Sequence, residues 1–277
     1  VKYWGKRDLA LNLPATDSLS MTLSEFHTTT TVVFEDGLSG DVVVLNGRQA
    51  VPEASRRVSA LLDLVRREAG INARARVTSE NNFPTASGLA SSASGFAALA
   101  AAAARAAGLS FNVPALADLA RRGSGSAPRS LLGGFVRLRA GTQPDGRDFG
   151  IEPVADKDHF NLRLIVAMND RGEKKIGSSA GMELCRRTSP YYAAFCGLAG
   201  DDCDRAARAI MERDFGELGQ TAEASCLRMH AAAMASWPPV FYWNQATVAT
   251  MRRVWELRES GLECYFTIDA GPHVKVL

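Results

Sequence analysis

Four stretches of this 277-residue chain carry side chains that handle anions and protons. The richest is Pro84-Thr85-Ala86-Ser87-Gly88-Leu89-Ala90-Ser91-Ser92-Ala93. Glycine and small side chains let a backbone approach an anion closely. The string runs into a helical stretch, whose first amides and dipole favour phosphate, and Ser91 and Ser92 add hydroxyls there. No Gly-Lys-Ser/Thr follows, so it is not a Walker loop. The plainer alternative is a small-residue turn that caps an alanine-rich helix.

Three shorter constellations accompany it. Lys2-Tyr3-Trp4-Gly5-Lys6 sets two ammonium groups and a phenol within five residues. Extended, it would put Lys2, Trp4 and Lys6 on one side and Tyr3 on the other. Bent at Gly5, it would let Tyr3 and Lys6 converge on one anion. Spacing alone favours an exposed basic strand end with an aromatic anchor. Gly123-Ser124-Gly125-Ser126-Ala127-Pro128-Arg129-Ser130 joins hydroxyls, flexible backbone and one guanidinium, which suits a diphosphate or a carboxylate; a tight interhelical loop reads equally well. Thr267-Ile268-Asp269-Ala270-Gly271-Pro272 ends an apolar run on a lone carboxylate, a rigid position that often faces a cleft. The commoner role for such an aspartate is a cap or turn.

The elements that must position these groups follow from periodicity and punctuation. Residues 18–36 read as one strand ending in a turn, and Val42 to Leu45 as a strand entering a hairpin at Asn46-Gly47. Pro52 to Glu68 carries a helical stripe at Val58, Leu61, Leu62 and Val65, closed by Gly70. Ala73 to Ser79 and Phe135 to Arg139 read as strands, with a turn over 141–150. Helices are predicted over Ser91 to Ala107 and Pro114 to Arg122. After a strand from Leu162 to Met168, helices are predicted at about 204–232 and 244–260, split by Trp237-Pro238-Pro239. A strand over Glu263 to Ile268 follows. Strand–helix–helix–strand order makes the second block an α+β unit of its own.

Composition excludes several classes. Hydrophobic residues form 46% and charged residues 22%, ordinary globular values. With 32 basic against 30 acidic side chains the net charge is +2, too balanced for nucleic acid or an anionic membrane as main partner. The five cysteines, Cys185, Cys196, Cys203, Cys226 and Cys264, show neither CxxC nor Cys–His metal spacing. That argues for reduced thiols in a cytoplasmic protein. The longest apolar run, Phe96 to Ala107, is too short and too weakly hydrophobic to span a bilayer. Both ends read as interrupted segments, so residues are expected to be missing there. His27, His159 and His230 are isolated and read as satisfied or exposed. Trp237 and Trp243 read as packing anchors.

Taken together, KYWGKRD, LNLPATDSLSMTL, NNFPTASGLASSASGFAALA, RRGSGSAPRSLLGGF, GSSAGMELCRRTSPYY and FTIDAGPHVK resemble the diphosphomevalonate decarboxylases of the GHMP kinase superfamily, in family order and over the whole chain. The resemblance implies an α+β, two-lobed GHMP kinase fold. Residues 1–160 would form a ribosomal-protein-like ATP-binding lobe and 161–277 a ferredoxin-like lobe, with the active site between them. It implies a cytoplasmic homodimeric lyase of isoprenoid biosynthesis, using ATP and Mg2+ to phosphorylate the 3-hydroxyl of mevalonate 5-diphosphate. The product then loses phosphate and carbon dioxide to give isopentenyl diphosphate.

By position, the resemblance makes Asp269 the catalytic aspartate, Arg129 the holder of the substrate carboxylate, and Lys2 a lysine close to the reacting groups. Tyr3, Lys6, Ser124, Gly125, Ser126, Ser179 and Met182 fall on substrate positions. Pro84, Ser87, Gly88, Leu89, Ser91, Ser92 and Ser178 fall on nucleotide positions, with no metal ligand assigned. The chain departs from the family at Asp17, which would face away or approach magnesium, and at Pro128, which would stiffen the loop before Arg129. It also departs at His273, where asparagine is usual, and at Ser179, where some members carry an arginine. A relative that only phosphorylates or prefers mevalonate 5-phosphate, and an inactive binding protein of the same fold, are the alternatives.

Overall fold

The computed structural model describes residues 1–83, 90–170, 172 and 176–277. The chain enters through β1 (Lys6–Asp8) and β2 (Leu13–Pro14), a small antiparallel pair, and continues into β3 (Ser18–Met21). β4 (Thr28–Glu35) follows, so the single strand read over 18–36 is two. They serve different sheets. β3 pairs with β8 (Phe135–Arg139), while β4 pairs along its whole length with β7 (Arg74–Asn81). The crossing over 22–27 is pinned by Thr22, which bonds the Gly134 and Leu132 carbonyls, and by Asn82, whose side chain bonds the backbone of His27 and Glu25. Side chains thus satisfy backbone groups that a continuous ladder would have used.

β5 (Val42–Leu45) and β6 (Arg48–Gln49) form the hairpin expected at Asn46-Gly47, both of which adopt positive φ. With β7 and β4 they complete a four-stranded sheet in the order β4-β7-β5-β6. α1 (Pro52–Ala69) buries the predicted stripe of Val58, Leu61, Leu62 and Val65 and ends on left-handed Gly70. α2 (Ser91–Ala106) lies against the same core through Phe96, Ala97, Ala100 and Ala103, and α3 (Val113–Gly123) through Leu119 and Ala120. Removing four large aliphatic side chains from water, as α1 does, contributes ~1.5–3 kcal/mol each.

After α3 the chain does not pass straight to another α-helix. Ser124 to Ser126 lead into a 3-10 turn (Ala127–Leu131) with Pro128 near its start, which delivers the chain to β8 and then to β9 (Gly150–Ala155). β9 escaped the sequence reading because Pro153 interrupts it; as an edge strand of the β3-β8-β9 sheet it tolerates a missing donor.

The second block is richer in helices than expected. β10 (Ile165–Ala167) is followed by α4 (Ser178–Thr188), α5 (Tyr192–Glu212), α6 (Phe215–Met234) and α7 (Gln245–Glu259). The helix read over 204–232 is therefore two. Arg213 turns left-handed, and Asp214 caps α6 by accepting from the Glu217 amide. No glycine or proline stands at the break itself, since Gly216 and Gly219 fall inside α6, so Asp214 is the only local punctuation there. β11 (Phe266–Ile268) and β12 (Val274–Val276) form a hairpin, and the sheet order is β10-β12-β11, all antiparallel. Trp243 packs beside His230, at 4.9 Å between centroids, but Trp237 is 78% exposed and is a surface residue, not an anchor.

Candidate active site

Five residues from three separated segments line one cavity of about 660 Å3: Lys2, Tyr3, Ser126, Arg129 and Asp269, with Thr28, Ala90 and Ser94 also on its wall. Asp269 leaves the end of β11 in the β11–β12 turn, with its side chain 43% exposed toward this space. Its Oδ1 accepts from Lys2 Nζ at 2.6 Å, and its Oδ2 accepts from Lys275 Nζ at 3.1 Å. Both lysines are themselves buried. Burial alone would raise the Asp269 pKa; the charges and hydrogen bonds of Lys2 and Lys275 overturn this and hold the carboxyl well below the usual carboxylate range.

Lys275 is the residue that sequence reasoning missed. It stands in the FTIDAGPHVK string, but only the hairpin register reveals its position, since Lys275 sits opposite Thr267, two residues before Asp269. The same turn accounts for His273. Its ring is buried, and Nδ1 accepts from the Asn169 amide at 3.1 Å, while Asn169 Nδ2 and Thr247 Oγ1 both donate to the Pro272 carbonyl. Burial and the Lys275 charge push His273 below the ordinary imidazole pKa, so it serves as a neutral acceptor that ties the hairpin to its neighbours.

Arg129 is carried by the 3-10 turn. Its guanidinium lies 5.9 Å from the Tyr3 ring centroid, and its buried Nε has no hydrogen-bond partner among the described residues. Burial lowers its pKa and the Asp269 charge opposes that shift. The Tyr3 hydroxyl is likewise buried and unbonded among them. A Cβ on Gly125 would overlap that hydroxyl, so the glycine in the serine loop is what admits the phenol. Such orphaned donors are costly unless a ligand completes them.

The N-terminal segment is neither of the simple readings. Lys2 and Tyr3 both face the cavity, whereas Trp4 is buried with Met182, Phe195, Met229 and Tyr242. The irregular backbone of residues 1–5 breaks strand alternation, and Gly5 bends it at φ 118°, where a Cβ would strike Tyr192. Lys6, beyond the bend, donates to Asn12 Oδ1 at 2.6 Å and lies 3.5 Å from Ser179 Oγ. Burial, followed by the Arg57 charge, lowers its pKa.

Ser124 is buried where α3 ends, and Ser126 begins the 3-10 turn. Ser178 and Ser179 open α4, while Met182, one turn later, is a core residue packed with Trp4. Ser91 and Ser92 open α2, whose preceding residue Ala90 is left-handed and gives it no side-chain cap. Small hydroxyls and backbone amides at a helix start suit phosphate oxygens. Pro84, Ser87, Gly88 and Leu89 lie outside the described residues. Asp17 does not approach the cavity: it accepts from Arg137 at 2.8 Å and from the Ala140 amide. No group of three or more His, Cys, Asp or Glu side chains among the described residues could hold a metal ion.

A second hollow of about 520 Å3 lies between α1 and β7, but its Arg66 is engaged by Asp41 and Asp63. It contains none of the residues above.

Comparison with known proteins gives these groups a context. Residues 1–149 match the model of the diphosphomevalonate decarboxylase-like N-terminal domain, and residues 164–277 match that of the mevalonate 5-diphosphate decarboxylase C-terminal domain. The chain is 35% identical to the diphosphomevalonate decarboxylase of Candida albicans over 290 residues, covering all of this chain and 80% of that protein. Its fold superimposes on mevalonate diphosphate decarboxylase from Staphylococcus aureus with a TM-score of 0.93 at 41% identity, over 99% of this chain and 83% of that one. The TM-score is also 0.93, at 40% identity, against MDDEF in complex with MVAPP, AMPPCP and magnesium, over 99% and 84% of the two chains.

Proposed function

This chain belongs to the diphosphomevalonate decarboxylase family, and we propose that it converts mevalonate 5-diphosphate and ATP to isopentenyl diphosphate, ADP, phosphate and carbon dioxide. The observation that carries the reading is the Asp269 carboxylate, ionised and open to the same cavity as Arg129.

Mg-ATP supplies the phosphoryl group when bound at the start of α2, where Ser91 and Ser92, with Ser178 of α4, would meet its phosphates. Everything else falls to the chain's own residues. Phosphoryl transfer needs alignment and charge neutralisation more than covalent help. Asp269 would accept a hydrogen bond from the substrate's 3-hydroxyl and aim its oxygen. As that oxygen bonds the phosphorus, the P–O bond to ADP would break and the hydroxyl proton would pass to the Asp269 carboxylate and on to a phosphate oxygen or solvent. Once the 3-oxygen is phosphorylated, its bond to carbon 3 breaks and the electron pair leaves with phosphate. The positive charge that grows at carbon 3 is stabilised by Asp269 nearby. The pair of the C1–C2 bond then forms the C2–C3 double bond, and C1 departs as carbon dioxide. Arg129 would hold the carboxylate until that point, while Lys2 sits close enough to neutralise the transferred phosphate.

Lys6, Tyr3, Ser124, Gly125, Ser126 and Ser179 would receive the 5-diphosphate, with Met182 packed against Trp4 behind this segment. The division into lobes at about residue 160, a homodimeric assembly and a cytoplasmic location belong to the same reading. No described helix is long and apolar enough to cross a membrane.

The test is a coupled assay for ADP and carbon dioxide, with mevalonate 5-diphosphate or the 5-monophosphate. Equal release of both products from the diphosphate, and a loss of about 10^3-fold or more in Asp269→Ala, is the expected result. ADP without carbon dioxide would make the protein a kinase, and turnover of the monophosphate alone would overturn the substrate.

A further inference from the structure

We propose that Lys275 is a positioning residue for the reaction: it holds the Asp269 carboxylate from behind, so that Lys2 is left available to the reacting ligand. The inference rests on the decarboxylase reading above.

The two lysines on Asp269 are not equivalent in the fold. Lys275 lies in the middle of β12, the central strand of its sheet, opposite Val166 of β10 on one side and Thr267 of β11 on the other. Its backbone is fixed on both edges. Lys2 belongs to the irregular segment ahead of β1, held by its amide's bond to Ser225 Oγ and by the Leu19 amide's bond to the Val1 carbonyl. Each lysine takes a different carboxylate oxygen. If Lys2 turns toward an incoming phosphate, Oδ1 is released to the substrate hydroxyl, yet Oδ2 stays anchored and the carboxylate keeps its direction.

Charge supports the same division of labour. Lys2, Lys275 and Arg129 against Asp269 leave two positive charges beside a cavity that must receive anions. An ammonium as buried as Lys275 demands a close counter-charge. Burial pushes its pKa down and Asp269 opposes that shift. If Asp269 had only Lys2, the movement of Lys2 to a phosphate would strand a half-exposed carboxylate against that anion. Among the described residues, the charged and titratable groups around Asp269 are Lys2 from the N-terminal segment, Lys275 from β12, Arg129 from the 3-10 turn, and Cys226 and His230 from α6. Among the same residues, the side chains of Lys2 and Lys275 bond the carboxylate, at 2.6 and 3.1 Å.

The experiment compares Lys275→Met, Lys275→Gln and Lys275→Arg with the unaltered chain, by steady-state kinetics and by 13C-NMR titration of the Asp269 carboxyl without ligands. In the Met and Gln variants, kcat should fall about 10–100-fold with KM for both substrates little changed. The carboxyl midpoint should rise by about 1–3 pH units. Lys275→Arg should restore most of both. A kcat within twofold of the unaltered chain, or a carboxyl midpoint that does not move, overturns the proposal. Should the Met variant not fold, the Gln and Arg variants decide the question by the same two readouts. If the unaltered chain releases no carbon dioxide, the decarboxylase reading fails, while the NMR arm still decides whether Lys275 sets the state of Asp269.

Discussion

Two regions of the candidate site, around Asp269 and around Lys6, are built on opposite principles. Around Asp269 the fold itself supplies the charge partners: two buried lysines on one carboxylate, on a hairpin locked by His273 and Asn169. Toward Lys6 the groups are looser. Lys6 spans Asn12 and a distant Ser179 hydroxyl, and on this side the Tyr3 hydroxyl and Arg129 Nε have no hydrogen-bond partner among the described residues. On the proposed reading, the Asp269 region would be preorganised for a transition state whose charge it must match, which is where fixed dipoles and charges matter most. The Lys6 side keeps unmet donors, whose satisfaction by a ligand offsets their burial. On the proposed reading, binding and chemistry fall to different regions of the site.

That contrast can be broken at Tyr3. Gly125→Ala would thrust a methyl into the Tyr3 hydroxyl and displace the phenol from its place in the cavity wall. We expect kcat/KM to fall ~10^2-fold, the scale of a misplacement of about 1 Å, with thermal stability lowered only modestly. An unchanged kcat/KM would mean that Tyr3 does not shape the cavity. A smaller effect is expected at Lys6. Lys6→Met removes one charge-assisted contact of about 1.5–3 kcal/mol, so KM for the diphosphate should rise ~10- to 100-fold while kcat changes little. If kcat falls instead, the separation of binding from chemistry is wrong.

The least effect on turnover, and a test of the Asp269 region as a structural unit, concerns His230. Burial, then the Lys2 charge, pushes its pKa down to about 3. The folded protein therefore keeps this imidazole neutral where the unfolded chain, at about 6.5, binds a proton. Its contribution is fully present above about pH 6.5 and is lost as pH falls toward about 3. Asp269 adds acid sensitivity of its own, present above the ordinary carboxylate range and lost below it. His230→Gln, which retains a donor for the Ile268 carbonyl, should flatten the decline in unfolding free energy between about pH 6.5 and 4, measured by urea melts, and leave kcat at about pH 7.5 within about threefold. An unchanged slope would place the acid sensitivity elsewhere.

Much of the scaffold was legible because its signals are local. The stripe of α1 and its Gly70 stop, the Asn46-Gly47 hairpin, and the alanine-rich helix behind Ser91 each depend on neighbours within a few residues. The failures share a cause, which is competition from elsewhere in the fold. A strand over 18–36 became two because β8 and β7 each claimed one half. The helix over 204–232 broke at a non-glycine left-handed residue, Arg213, which no composition rule marks. Trp237 looked like an anchor because tryptophans usually are, yet the turn leaves it in solvent.

The sequence by itself determined which chemical groups the protein owns and the order in which they occur: the Gly-Ser strings, the guanidinium at 129, the carboxylate at 269, and enough of their flanking patterns to identify a family. Local periodicity and motif spacing are properties of a one-dimensional string. What only the tertiary structure decided is which groups meet. Lys2 reaches Asp269 across 267 residues, Lys275 reaches it across a hairpin, and Asp17 spends its charge on Arg137. Ion pairing depends on distance and burial in three dimensions, so the charge state of the Asp269 carboxylate is a property of the fold.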